Sequence, residues 1–242
     1  MPSVFPVGPL LVYDKDDGTN RHECLAWLDQ QPVDSVVFLC FGSKGCFEAP
    51  QVAEMAAGLE CSGHRFLWML RVPSQELERT MCKPADADLN EVLPEGFAER
   101  TKGRGMVWPS WAPQAAILAH PAVGVFVTHC GWNSCLESLQ FGVPLLGWPL
   151  FAEQHLNAVV MDEDMGVALQ LKVDRKKGNF VSAEELERGV RCLMGESEEG
   201  TRTRAKAKEM MLWSRKALEE GGSSFANTER LVKEQLMKEM VS

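Results

Sequence analysis

The stretch VGVFVTHCGWNSCLESLQFGVPLLGWPLFAEQ, residues 123–154, decides the fold. It opens on an apolar, β-branched run, Val123–Thr128, too continuous for a half-exposed strand and suited to one buried on both faces. A polar and glycine turn comes next. Helical spacing then runs from about Asn133 to Gln140, with Gly142 placed to end the helix. A second apolar run, Val143–Trp148, precedes another helix from about Glu153 to Glu163. Strand–helix–strand–helix in this rhythm predicts a parallel sheet with crossover helices.

The rhythm continues outward. SVVFLCF (Ser35–Phe41) reads as a buried strand, and Val52, Met55, Ala56 and Leu59 give a helix over roughly Pro50–Cys61. Arg65–Leu70 and Gly105–Trp108 read as strands, Pro113–Ala119 as a brief helix, and Val167–Leu171 as a short final strand. Pro73–Leu93, rich in Asp, Glu and Pro, reads as a surface loop. From Ser182 the pattern is helical. Ser182 and Glu185 have the spacing of a capping box, and Gly200, Gly221 and Gly222 divide the region into two or three helices. The expected fold class is α/β: a Rossmann-like parallel sheet with helices on both faces.

Composition narrows the functions. A formal net charge of −9 argues against a nucleic-acid partner and against anionic membrane surfaces. An anionic ligand therefore needs a local positive site. No apolar run reaches the ~18 residues of a spanning helix. The eight cysteines include no CxxC pair and no zinc spacing, so they read as reduced thiols of a cytoplasmic protein, most of them simple core residues. The start, MPSVFPVGPLLVYD, has no signal-peptide organisation and reads as the middle of a larger protein. The basic run Lys172–Lys177 reads as a solvated turn.

In an open α/β sheet, ligands bind outside the carboxyl ends of the strands. Beyond the strand ends stand Gly42-Ser43-Lys44-Gly45, Trp111-Ala112-Pro113-Gln114, His129-Cys130-Gly131-Trp132-Asn133-Ser134 and Phe151-Ala152-Glu153-Gln154. Polar, glycine and aromatic residues thus gather on one sheet edge. The helix beginning near Asn133 offers unpaired N–H groups to a phosphate, and Gly131 allows close approach. His129 can add a hydrogen bond or a charge. Plain capping by Asn133 and Ser134, beside a buried histidine, explains the same residues. Glu137, one turn on, suits a ribose diol, yet Ser134-x-x-Glu137 also fits a capping box. Trp111 can stack on a base or fill core. Gln114 and the backbone at Ala112 can read a base edge. Glu153 and Gln154 suit a polyhydroxyl ligand or simply begin a helix. No GxGxxG comes after the first strand, and neither GxxxxGK[ST] nor GxSxG occurs, which disfavours NAD-type, P-loop and serine-hydrolase readings.

Trp111 to Gln154, with VGPL near the start and FLCFGSKG at Phe38–Gly45, resembles the plant UDP-dependent glycosyltransferases of secondary metabolism. The resemblance runs along the whole chain but matches only the C-terminal half of a family member. It implies the C-terminal, donor-binding domain of a GT-B fold. By resemblance Trp111 stacks on uracil beside Ala112 and Gln114, and Glu137 binds the ribose. Ser43, His129, Gly131, Asn133 and Ser134 hold the diphosphate, and Trp132, Glu153 and Gln154 surround the sugar. Gln154 and Trp132 imply UDP-glucose as donor, with no metal and no further cofactor. The implied reaction is inverting transfer to a small-molecule acceptor such as a phenolic or flavonoid.

The resemblance places the acceptor-activating histidine in the other half, so none of the histidines here is expected to be the catalytic base. It also implies three regions: residues 1–34 as interdomain linker and lead-in helix, 35–223 as the UDP-sugar-binding domain, and 224–242 as a C-terminal helix crossing to the other domain. That helix, over about Ser224–Met240 with Phe225, Leu231 and Leu236, would allow self-association where exposed. Two other readings fit the same residues. One is a non-catalytic nucleotide-sugar-binding module. The other is a GT-B enzyme using a different nucleotide.

Overall fold

The computed structural model describes residues 3–11, 21–73 and 84–236. In chain order the elements are α1 (Glu23–Leu28), β1 (Val36–Cys40), α2 (Ala49–Ser62), β2 (Arg65–Met69), β3 (Arg71–Pro73), β4 (Pro84–Asp86), α3 (Leu89–Val92) and α4 (Phe97–Arg100). Next come β5 (Gly105–Trp108), α5 (Gln114–Leu118), β6 (Val123–Thr128), α6 (Trp132–Phe141), β7 (Leu145–Gly147), α7 (Gln154–Val159), β8 (Ala168–Gln170), α8 (Ala183–Met194), α9 (Glu198–Leu218) and α10 (Ser223–Leu231).

Six strands form one parallel sheet in the order β5-β2-β1-β6-β7-β8. Its two faces carry separate apolar cores. Val37, Leu39, Phe66, Trp68, Val125 and Val127 point to the face covered by α2 and α8. Val36, Phe38, Leu67, Met69 and Phe126 point to the face covered by α1, α5 and α6. Successive strand residues therefore enter opposite cores, and the central strands β1 and β6 are apolar nearly throughout for that reason, with Thr128 the polar end of β6.

Several boundaries differ from expectation. Pro73–Leu93 is not loop throughout: Arg71–Pro73 pairs antiparallel with Pro84–Asp86, and α3 comes after it. Residues 74–83 of that stretch lie outside the described residues. The strand expected over Val143–Trp148 shortens to β7; at its amino end Pro144 has no N–H to give the ladder. The helix expected over Glu153–Glu163 is α7 continued by a π-helical segment, Val160–Asp164. Ser182 accepts from Glu185 N at 3.3 Å, but the Glu185 carboxylate turns to Lys172 N at 2.8 Å, so only half of the capping box forms. Gly200 sits inside α9; the break falls earlier, where Ser197 caps that helix. The C-terminal helix is α10 plus a π-helical segment, Val232–Leu236, and the remainder of the expected Ser224–Met240 lies outside the described residues. Ser224 donates its hydroxyl to Gly8 O at 2.5 Å and Asn227 Nδ2 donates to Pro6 O at 3.0 Å, so α10 packs beside residues 6–8.

Candidate functional site

The strand order reverses between β1 and β6, which makes their carboxyl ends the natural crevice of the sheet. The turn after β1 meets the turn after β6 there, and His129 is the point of contact. Gly42 has φ +68°, and a Cβ on it would lie 2.7 Å from His129 Nε2. A Cβ on Gly131 would lie 2.4 Å from the same atom. The imidazole is thus seated between two backbones that only glycine leaves open. Cys130 between them adopts φ +60°, and buried Asn157 holds that turn by donating Nδ2–H to Cys130 O at 3.0 Å.

Burial pushes the His129 pKa down to about 4, with nearby Glu153 pulling the other way. At neutral pH the ring is therefore uncharged. Of the two roles open to it, hydrogen bonding fits a neutral ring and a standing positive charge does not. Thr128 Oγ1 lies 3.3 Å from Nδ1. A neutral ring with Nδ1 accepting there presents Nε2–H to the crevice.

Helix α6 starts on Gly131 and no side chain caps it. Asn133 and Ser134 are the second and third helical residues rather than caps. Ser134 instead accepts from Gln114 Nε2 at 3.0 Å, and the same amide nitrogen donates to Glu137 Oε2 at 2.7 Å. The capping-box alternative for Ser134 and Glu137 is thereby replaced by a polar triad joining α5 to α6. The uncapped N–H groups of the first turn of α6 remain directed at the crevice mouth. Burial raises the Glu137 pKa, and the bond from Gln114 partly offsets this.

Trp111 is 63% exposed, with its carbonyl oxygen accepting from Trp108 Nε1 at 3.1 Å. It is not core filling. A cavity of about 240 Å³ beneath it is lined by Gly42, Ser43, Ala112 and Gln114, together with Cys40, Met69, Arg71 and Ser110. A larger hollow of about 510 Å³ opens at the amino ends of the strands, around Asp34, His120 and Gly124, and contains none of the predicted site residues. The smaller cavity lies at the end where α/β sheets bind ligands and holds the chemically equipped side chains.

The remaining predicted residues do not all converge. Glu153 is exposed at the crevice mouth. Gln154 is buried, and its Oε1 accepts from Leu150 N at 3.0 Å and Phe151 N at 3.1 Å. Its carbonyl oxygen therefore holds the turn at Ala152, which has φ +54°, instead of projecting outward beside Glu153. Asn133 is exposed. Trp132 is half exposed and lines a separate apolar hollow with Pro9, Leu136 and Trp213. The expected site lacked Arg71 and Asn157. Arg71 stands just past β2 as directly as the other clusters stand past their strands, and the same strand-end rule finds it. Nothing in the sequence marks Asn157, whose role depends on α7 packing under the turn at Cys130.

Residues 7–197 match the family described as UDP-glucoronosyl and UDP-glucosyl transferase. The chain belongs to that family. It is 58% identical to a malvidin galactosylase from Oryza sativa subsp. japonica over 95% of this chain and 48% of that protein. It is 50% identical to a phloretin 2'-O-glucosyltransferase from Pyrus communis over 93% of this chain and 48% of that protein. Among solved structures, a transferase from Siraitia grosvenorii in complex with UDP superposes with TM-score 0.87 at 48% identity, covering 96% of this chain and 50% of that one. A Medicago truncatula family member complexed with UDP-glucose gives TM-score 0.79 at 42% identity, with 97% and 48% covered. This family member therefore spans about half the length of the relatives it matches, and its fold is that of one Rossmann-like half of a GT-B enzyme.

Proposed function

We propose that this chain is the donor half of an inverting glycosyltransferase, binding a UDP-sugar at the β1/β6 crevice for transfer to a small phenolic acceptor. The observation that carries the reading is the triad in which Gln114 joins Ser134 and Glu137 directly beside the uncapped start of α6 and the glycine-seated His129. In this reading the base stacks on Trp111 over Ala112, and the Glu137 carboxylate accepts from the ribose hydroxyls. The diphosphate meets Ser43, Gly131, Asn133, Ser134 and the N–H groups of α6. Departing UDP gains charge, and preorganised donors at a helix mouth stabilise it as the bond to the sugar breaks. His129 supplies Nε2–H, not the base. Proton abstraction from the acceptor falls to the other half of the longer relatives' architecture, and no metal or cofactor enters.

Glu153 and Trp132 would face the sugar, while Gln154 shapes the turn that carries Glu153. UDP-glucose is the proposed donor. Because the relatives include both a galactosylase and a glucosyltransferase, UDP-galactose is the comparison that tests it. The proposed regions are linker and lead-in helix over 1–34, donor domain over 35–223, and C-terminal helix over 224–242. A cytoplasmic setting is proposed from the buried free thiols of Cys24, Cys130 and Cys135. Among the described residues no helix is long and apolar enough to cross a membrane.

Thermal unfolding in the presence of UDP, with ADP as comparator, tests the reading. A UDP-specific rise in midpoint supports it. Equal effects of both nucleotides would favour a different donor class.

A further inference from the structure

Resting on that reading of the crevice, we propose that Asn157 is a positioning residue for the diphosphate, acting from behind the crevice on the turn His129-Cys130-Gly131 that carries the His129 ring and opens α6. Asn157 belongs to α7, is buried, and stands outside the lining of the cavity under Trp111. Its Nδ2–H donates to Cys130 O at 3.0 Å, across 27 residues of chain.

That bond acts on a peptide plane. The Cys130–Gly131 peptide is trans, so its C=O and N–H point in opposite directions. Holding Cys130 O against α7 therefore turns the Gly131 N–H away from that helix. Cys130 has φ +60°, a left-handed conformation that a residue with a side chain keeps where its surroundings enforce it. The Cys130 thiol is seated as well. It lies 3.6 Å from Thr128 O, and a Cβ on Gly147 of β7 would stand 3.1 Å from Sγ. The same imagined Cβ would lie 3.8 Å from that of Ala158, so α7 packs on β7 beside the turn it holds. One helical turn before Asn157, Gln154 fixes the neighbouring turn at Leu150 and Phe151.

The residues on either side of Cys130 carry the phosphate chemistry. A Cβ on Gly131 would lie 2.4 Å from His129 Nε2, so ring and turn cannot shift independently. Releasing the 130–131 peptide would move the imidazole relative to the first N–H groups of α6. A ligand held by several donors at once loses affinity when their mutual geometry loosens. The base end is built from other contacts. Trp111 and Ala112 precede α5 and Gln114 begins it, and their bonds run to Trp108, Ser134 and Glu137. Loss of the Asn157 donor therefore falls on the diphosphate and spares the nucleoside.

The test is titration of the unaltered chain, Asn157→Ala, Asn157→Leu and Gly58→Ala, with UDP by calorimetry and with uridine by NMR shift, each variant first checked for cooperative unfolding. Asn157→Leu keeps the volume without the donor and stands in if the alanine variant does not fold. Gly58→Ala strains the α2–α8 contact far from the crevice and shows what lost stability does alone. The expected result is UDP weakened roughly tenfold in both Asn157 variants, with uridine within about twofold of the unaltered chain. Gly58→Ala should leave both ligands nearly unchanged. Equal weakening of UDP and uridine would make Asn157 a general structural residue and overturn the proposal. So would a Gly58→Ala variant that reproduces the split, since lost stability would then suffice. An unaltered chain that binds UDP well, with Asn157→Leu indistinguishable from it, would overturn this inference alone. No UDP binding by the unaltered chain would overturn the crevice reading with it.

Discussion

Burial between Gly42 and Gly131 holds His129 near pKa 4, well below its ordinary 6.5, so the ring reaches neutral pH without a proton. The unfolded chain binds that proton between pH 6.5 and 4 while the folded chain does not. Stability therefore falls as pH drops through that window, by up to about 3 kcal/mol. His129→Gln, which cannot titrate, should flatten the dependence, read as the difference in Tm between pH 7 and about pH 5. A slope unchanged in the variant would mean that other groups carry it. Glu137 carries the opposite sign. Its pKa is raised by burial, so ionisation costs stability as pH rises above the ordinary carboxylate range. Glu137→Gln keeps an oxygen for the Gln114 amide and removes the buried charge. Its Tm at neutral pH should hold or rise while UDP affinity drops about tenfold through loss of the charged ribose acceptor. Paired loss of Tm and affinity would mark Glu137 as a structural residue instead.

Between elements, the close approaches are made by residues without side chains. A Cβ at Gly58 of α2 would stand 2.7 Å from Ala183 O at the start of α8. Gly58→Ala should therefore push the two helices apart and cost about 1–3 kcal/mol of stability. UDP affinity should be nearly unchanged, because neither helix reaches the crevice. Gly131→Ala makes the converse case. Its nearest clash is with the His129 ring, so UDP binding should weaken more than Tm falls. Equal sensitivity of binding to both substitutions would contradict the assignment of the crevice.

Elements also differ in how openly the sequence declares them. Each central strand feeds two cores, so Val36–Cys40 and Val123–Val127 carry a dense apolar signal that no loop imitates. The β3–β4 pair carries none, since three-residue strands bounded by Pro73 and Pro84 look like any proline-rich loop. The crevice was legible as a set of strand-end clusters. The Gln114 bonds to Ser134 and Glu137 span 20 and 23 residues and depend on how α5 meets α6, which no local pattern encodes. Gln154 illustrates the same limit. A polar residue at a helix start looks ligand-facing, and only the fold reveals that its oxygen answers Leu150 N and Phe151 N.

At the scale of the molecule, α10 is tied to the opening segment by Ser224 to Gly8 and Asn227 to Pro6, with the Arg230 guanidinium 4.7 Å from the Phe5 ring centroid. The helix still leaves Phe225 and Val232 exposed, and an apolar face of this kind should favour weak self-association detectable by sedimentation at rising concentration. The proposed donor half should bind UDP-sugar yet transfer it to a phenolic acceptor negligibly. Turnover near that of a full-length relative would contradict this division of labour. The central claim is that the β1/β6 crevice is an autonomous uridine diphosphate site, and calorimetric titration of the chain with UDP and UDP-glucose tests it most directly, with Glu137→Ala and His129→Ala in parallel. The account predicts one saturable site for each ligand, weakened in both variants. Binding that survives both substitutions unchanged, or no binding by the unaltered chain, would contradict it.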